Sequence, residues 1–309
     1  MRGRRKYRRL LPALFAAVTL GLFAAAPAGA YLRDFQTVGL SSVVNSQTVK
    51  SVSVPCPPGK LALGAGGAVI SPFANVGLDN LWVFFGQQRT FNGGAETDSI
   101  GAKWLVTGRS FCAASVPILP PGNGAAPFIK NVSWKNRTSA ANSTAFKSVV
   151  ATCPAGTSAI GGGGELTGAT NDLAFDSVRR AGAAGFRVRA HEVDPTSVGW
   201  SVTATAICAN ITTNPPGAQF VGGAGISAPD TGPGPIRTGT AAATASCSGG
   251  QRIIGGGAYL TGVAPGSPPP ADLVLTASRP ISSTTWLGRA RDTDPPTQAY
   301  HLQVRAVCG

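Results

Sequence analysis

The chain has 309 residues, of which 26 are basic and 13 acidic, giving a net charge of +13 with only 13% charged residues. Six of the basic residues lie in the first ten positions; without them the balance is 20 basic against 13 acidic, or +7, too sparse for a nucleic-acid surface but enough to favour anionic polymers. Forty-one glycines and 24 prolines, with abundant Ala, Ser, Thr and Val, exclude a helical bundle or coiled coil and favour strands and turns.

Residues 1–30 read as a leader. MRGRRKYRRL is basic and free of acids, LLPALFAAVTLGLFAAA is a short apolar run, and AGA at 28–30 is a small-x-small cleavage pattern. This order predicts a secretory signal peptide cut after Ala30. The alternative is an N-terminal anchor, for which the apolar run is short. No later stretch is long and apolar enough to span a membrane.

Beyond the leader the chain repeats itself, with boundaries near 31–126, 127–216 and 217–309. KSVSVPCPPGKLALGAGGAV, FKSVVATCPAGTSAIGGGGEL and AAATASCSGGQRIIGGGAYL open the three repeats. WLVTGRSFC, WSVTATAIC and YHLQVRAVC close them. The proline-glycine stretches ILPPGNGAAP and NPPGA read as short, stiffened connections. Six cysteines, two per repeat, predict the intra-repeat bridges Cys56–Cys112, Cys153–Cys208 and Cys247–Cys308 in an exported protein. There is no Cys-x-x-Cys pair, so a thiolate metal site is disfavoured.

Alternation assigns the strand faces. Trp200, Val202, Ala204, Ala206 and Cys208 fall on one side of the last strand of the second repeat, and Ser201, Thr203 and Thr205 on the other. Phe186, Val188 and Ala190 point inward in the strand before it, with Arg187, Arg189 and His191 outward. The third repeat places Trp286 and Ala290 inside, with Arg289 and Arg291 outside. The fold expected is all-β, three repeats of roughly five strands, the last four lying between the cysteines. The repeats either close about a pseudo-threefold axis, as in a β-prism, or stand as three tandem small β-sandwich units.

The plan C-P-x-G, hydrophobic-Gly-Gly-Gly, Trp, Cys is carried by Cys56, Pro57, Gly59 and Gly64–Gly67, by Cys153, Pro154, Gly156 and Gly161–Gly164, and by Cys247, Gly250 and Gly255–Gly257. It resembles a repeat of secreted actinobacterial proteins of unassigned function; Ser248 departs from it where the other repeats have proline. More distantly, three disulfide-bearing β units of this size resemble the vitelline membrane outer layer protein fold, a β-prism. That resemblance implies a surface-associated or carbohydrate-binding role and supplies no catalytic motif.

Three groups of residues are candidates for chemistry. His191 and His301 stand at different positions of their repeats, outside any hydrolase or zinc motif, and His191 reads as a solvated surface histidine. The acid pairs Glu96 and Asp98, Glu192 and Asp194, and Asp292 and Asp294 recur at one place in every repeat. They are weak candidates for calcium or glycoside hydrolysis, against the simpler task of capping the turn that follows. Arg179, Arg187, Arg189, Arg279, Arg289 and Arg291 form an outer-face basic strip suited to carboxylate, phosphate or sulfate groups, unless cross-strand acids neutralise it. The glycine run of CPAGTSAIGGGGEL completes no phosphate-loop motif and opens no helix, so it reads as architecture. The function these features imply is a secreted, non-enzymatic protein without a cofactor that binds an anionic polysaccharide or a cell-surface component. A structural or protein-interaction module (an inhibitor or coat component) is the second reading, and an extracellular hydrolase the third.

Overall fold

The computed structural model describes residues 31–71, 76–84, 88–96, 101–116, 128–168, 172–212, 240–248, 251–262, 268–293 and 300–308. Residues 1–30, where a leader is expected, Asp98, Asp294, Gly250 and both proline-glycine connections lie outside them. The first repeat forms β1 (Tyr31–Ser41), β2 (Val49–Pro55), β3 (Lys60–Ile70), β4 (Val76–Phe84), β5 (Arg89–Glu96) and β6 (Leu105–Val116). The second forms β7 (Phe128–Thr138), β8 (Phe146–Thr152), β9 (Ser158–Thr167), β10 (Leu173–Ala181), β11 (Gly185–Glu192) and β12 (Ser201–Thr212). The third forms β13 (Thr240–Ser246), β14 (Ile253–Gly262), β15 (Leu273–Pro280), β16 (Thr285–Asp292) and β17 (Tyr300–Cys308). The protein is all-β, and four strands lie between the cysteines of each repeat, as expected. Two strands rather than one precede the first cysteine in repeats one and two. The extra strand escapes sequence reading because a bulge between Arg33 and Gln36 breaks its alternation.

No repeat keeps its strands to itself. The strands form three antiparallel sheets of five or six. The first runs β1-β6-β3-β15-β16-β13, the second β7-β12-β9-β4-β5-β2 and the third β17-β14-β10-β11-β8. The first two touch through one pair, Tyr31 with Lys130. Each sheet therefore joins strands of one repeat to strands of the repeat before it: β1, β3 and β6 to β13, β15 and β16, then β7, β9 and β12 to β2, β4 and β5, and β14 and β17 to β8, β10 and β11. Repeat one lends strands to repeat two, repeat two to repeat three, and repeat three back to repeat one. This cyclic exchange is incompatible with three self-contained sandwich units.

The joints between halves are short: Asn80 and Leu81 against Glu165 and Gly164, Ser177 and Val178 against Tyr259 and Ala258, Ala277 and Ser278 against Ala68 and Gly67. Strands at these joints cross at backbone contact. A Cβ on Gly163 would overlap the Leu81 carbonyl, one on Gly257 the Val178 carbonyl, and one on Gly66 would meet the Ser278 carbonyl at 3.0 Å. A second set of contacts joins the glycine strands themselves. A Cβ on Gly161 would overlap the Leu63 carbonyl, and one on Gly255 would overlap the Ile160 carbonyl and stand 3.2 Å from the Gly161 Cα. The register shifts just ahead of these glycines in all three strands, which turns Leu63, Ile160 and Ile254 into the buried centre. The glycine runs are thus demanded by neighbouring backbones, not by a ligand.

The disulfides form within repeats as expected, Cys56–Cys112, Cys153–Cys208 and Cys247–Cys308, closing separations of 56, 55 and 61 residues. The chain-entropy model gives each roughly 4 kcal/mol of stabilisation. The first cysteine of each repeat sits where the chain leaves one sheet for the next, so each bridge clamps a sheet-to-sheet crossing. The turn after it closes on Lys60 N–H to Pro57 O at 3.1 Å, repeated by Thr157 to Pro154 and Gln251 to Ser248. Gly59 and Gly156 take the left-handed conformation this turn needs, at φ 79° and 78°.

The glycines fall into two energetic classes. Gly156→Ala meets open space and costs only the left-handed backbone penalty, about 1–2 kcal/mol. Gly257→Ala drives a methyl into the Val178 carbonyl and is expected to cost about 3 kcal/mol or more. Urea unfolding of the two variants checks the ranking; equal costs would contradict backbone contact at the joints.

Candidate binding faces

Because equivalent strands pair in equivalent registers, the three sheets present the same grid of outward positions. On the third sheet one row reads Ser148, Arg189, Ser177, Tyr259, Gln303. The next reads Val150, Arg187, Arg179, then Arg305 beyond Gly257. The Arg179 guanidinium lies 4.0 Å from the Tyr259 ring centroid and that of Arg305 5.5 Å, so one ring serves two cations. Tyr259 donates its hydroxyl hydrogen to Gln303 Oε1. Arg189 pairs with Asp176, donates to the Leu260 carbonyl and lies 5.4 Å from the Phe146 ring.

Arg179 stands among Arg187, Arg189 and Arg305. Burial first, and these like charges after it, lower its pKa to about 10, against a smaller opposing effect of Tyr259. The Nε donors of Arg179 and Arg187 and the hydroxyl of Ser177 are buried without a hydrogen-bond acceptor. His191 is not the solvated residue expected: its side chain is 6% exposed, with Nδ1 3.4 Å from Asp176 Oδ2. The bulge between Phe175 and Ser177 turns Asp176 towards it, a phase change that alternation does not reveal.

The first sheet repeats the design without the acid. Arg289, Ala277, Ala68 and Thr107 form one row, and Leu287 and Arg279 lead to Arg109 beyond Gly66 in the next. Burial lowers the Arg279 pKa, with Arg109 and Arg289 adding to it, and its Nε also lacks an acceptor. Thr276 occupies the bulge position of Asp176. Arg291 lies further along and donates to Thr240 Oγ1 at 3.2 Å and to the Ser71 carbonyl at 3.4 Å. The six predicted arginines thus divide into two groups of three, on two sheets. Each group is completed by an arginine contributed by the following repeat, Arg305 or Arg109.

The second sheet carries different chemistry on the same grid. Its rows read Ser51, Gly93, Asn80, Glu165, Thr203, Thr138 and Ser53, Phe91, Trp82, then Thr205 and Asn136 beyond Gly163. Trp82 packs edge-on against Phe84 and Phe84 against Phe91, with centroids 5.9 and 5.0 Å apart. Asp79, at the bulge, is 7% exposed. Burial, with Glu165 adding to it, pushes its pKa up to about 7. Burial also raises Glu165.

The acid pairs have another task. Glu192 is buried, accepting 2.9 Å from the Trp200 indole N–H and 3.4 Å from the Thr196 backbone N–H. Lys147 lies 4.7 Å above the same indole and donates to the carbonyls of Ala140 and Asn142. Lys50, Trp104 and Glu96 repeat the group, with Lys50 4.5 Å from the Trp104 ring. Burial raises the Glu96 pKa and lowers those of Lys50 and Lys147. Asp194 is exposed in the following bend, away from the buried Glu192. Glu192 thus helps anchor a core tryptophan, and Glu96 is buried at the matching place. Asp292 is buried at the matching strand end, where it adds to the burial that raises Tyr300 to about 12. Among the described residues no group of three His, Cys, Asp or Glu side chains could hold a metal ion.

Comparison with known family models and with curated proteins finds no match to this chain.

Asp79 makes a pH prediction. Its folded pKa is about 7 against an ordinary 3.8, so between those values the folded state keeps a proton that the unfolded state has lost. Stability conferred through this group therefore falls as pH rises through that window. Asp79→Asn is expected to raise the melting temperature at pH 8 and to change it little at pH 4. Thermal unfolding of both proteins at the two pH values checks this, and a larger gain at pH 4 would contradict it.

Proposed function

We propose that the protein is an extracellular, non-enzymatic binder of acidic polysaccharide, gripping carboxylate, sulfate or phosphate groups with the arginine faces of the first and third sheets. The observation that carries this reading is the convergence of Arg179, Arg187, Arg189 and Arg305, with the buried Nε donors of Arg179 and Arg187 lacking acceptors. Arg189 is paired with Asp176, but the like charges of Arg179, Arg187 and Arg305 destabilise the folded chain on its own, and an incoming anion relieves them. The guanidinium fork suits such anions in bidentate geometry. The leader and three disulfides support an extracellular setting. The cyclic strand exchange supports β-prism-like closure, in which the sheet faces point away from one another and act as separate sites. A binder is favoured over a hydrolase because the one acid pair seen whole, Glu192 and Asp194, splits between a tryptophan anchor and an exposed bend.

Arg179→Gln combined with Arg305→Gln is expected to weaken binding to a polyuronate, a sulfated glycan or a phosphodiester wall polymer by about tenfold or more, roughly 1.4 kcal/mol. Wild-type affinity is expected to fall steeply with added salt. The same double variant is expected to melt no lower than wild type, because it removes like-charge repulsion. Calorimetry and thermal unfolding give both readings. Failure of the folded wild-type protein to bind any of these polymers would refute the proposal.

A further inference from the structure

The second sheet departs from its two counterparts at matched positions, and the departures share one chemistry. Trp82 stands where the others have Arg179 and Arg279; Phe91 replaces Arg187 and Leu287; Thr205 replaces Arg305 and Arg109. The bulge aspartates Asp79 and Asp176 are equivalent, yet only Asp176 has a cation, because Gly93 occupies the place of Arg189. The Asp79 carboxylate sits in the space a side chain at position 93 would need: a Cβ there would stand 2.7 Å from Asp79 Oδ1. That oxygen is buried without a hydrogen-bond partner, as is the hydroxyl of Thr205, which is fully buried on the same face. Glu165 is half-buried in the row of Asn80, beside the aromatic row. Arg89 is the cation of this face and stands at its end, opposite Phe84.

We propose that this face is a separate site for an uncharged saccharide, with a pyranose ring stacked on Trp82 and Phe91 and its hydroxyls donating to Glu165 and Asp79. A pyranose presents an apolar C–H surface and a rim of hydroxyl donors. The face offers the complement: half-exposed aromatic rings beside carboxylate acceptors that have no arginine next to them. Hydroxyls satisfy those acceptors without bringing a charge into a half-buried site, and the matched arginines that attract polyanions to the other faces are replaced here. The proposal concerns a different sheet and a different ligand chemistry from the polyanion reading, so either can fail alone.

The test titrates the full folded chain with neutral oligosaccharides (gluco-, manno-, galacto-, arabino- and N-acetylglucosamine series) by tryptophan fluorescence and calorimetry, with and without EDTA. Saturable binding to at least one series is expected, weakened about tenfold or more by Trp82→Ala and by Glu165→Gln. Trp82→Phe is expected to retain most of it, and Arg179→Gln with Arg305→Gln to leave it unchanged. Glu165→Gln preserves shape, so the test survives if Trp82→Ala fails to fold. Four results would overturn the proposal: no binding to any neutral series, binding indifferent to Glu165→Gln, binding abolished by EDTA, which makes the acids a cation site, or a dimer that Trp82→Ala dissociates, which makes the face a contact between copies.

Discussion

Everything in this fold depends on backbone meeting backbone where three glycine strands converge. A methyl group on Gly161 or Gly163 of β9, or on Gly255 or Gly257 of β14, would strike a carbonyl of a neighbouring strand, so these stretches can approach only as side-chain-free ribbon. Between these contacts the same strands carry Leu63, Ile160 and Ile254, which fill the centre. Further bulk in this core comes from Trp200, Trp286, Phe175 and Phe186, all fully buried, while Trp104 packs in a separate cluster with Val76 and Val106. Phe111 stacks on Trp286 across the first sheet at 5.2 Å, joining repeats one and three through side chains as their strands already do through hydrogen bonds.

A frame built on backbone contact leaves its outer surface free to vary. The same grid point holds an arginine on two sheets and a tryptophan on the third without altering register or bulge position. The inner positions show the opposite behaviour. Lysine, tryptophan and glutamate recur together in two repeats, because a buried lysine needs both the indole face and the carboxylate to compensate its desolvation. The recurring acid that the sequence displays most openly is therefore a structural part. The acids of the outer faces, Asp79 and Asp176, draw no attention in the sequence.

That contrast shows how far the sequence could be read. Period-two alternation placed Trp200 through Cys208 inside, and all five of its inward residues are fully buried. The repeat plan also paired the cysteines, since each copy supplies two. Two things lay beyond it. A bulge shifts the phase of alternation by one residue, so Asp79, Asp176 and the burial of His191 could not be derived from strand pattern; the matched aspartates of GLDNL and AFDSV were the available signal. Strand exchange also puts Arg109 beside Arg279 and Arg305 beside Arg179, residues about 170 and 126 positions apart, a proximity that reading each repeat as its own unit conceals.

The exchange of strands also governs how the chain can reach this state. The first sheet joins β1, β3 and β6, near the start, to β13, β15 and β16, near the end, so it is incomplete until almost the whole chain is available. Any prefix of the chain carries a half-sheet with an open edge, the kind of edge that recruits a wrong partner. Contacts of such long sequence separation slow the search for the native pairing. Once the cycle is shut, releasing any one repeat breaks pairing in two sheets at once, which raises the barrier to opening. The architecture exchanges speed of folding for persistence once folded: its durability lies in an unfolding rate, and no portion of the chain is a folded protein in miniature.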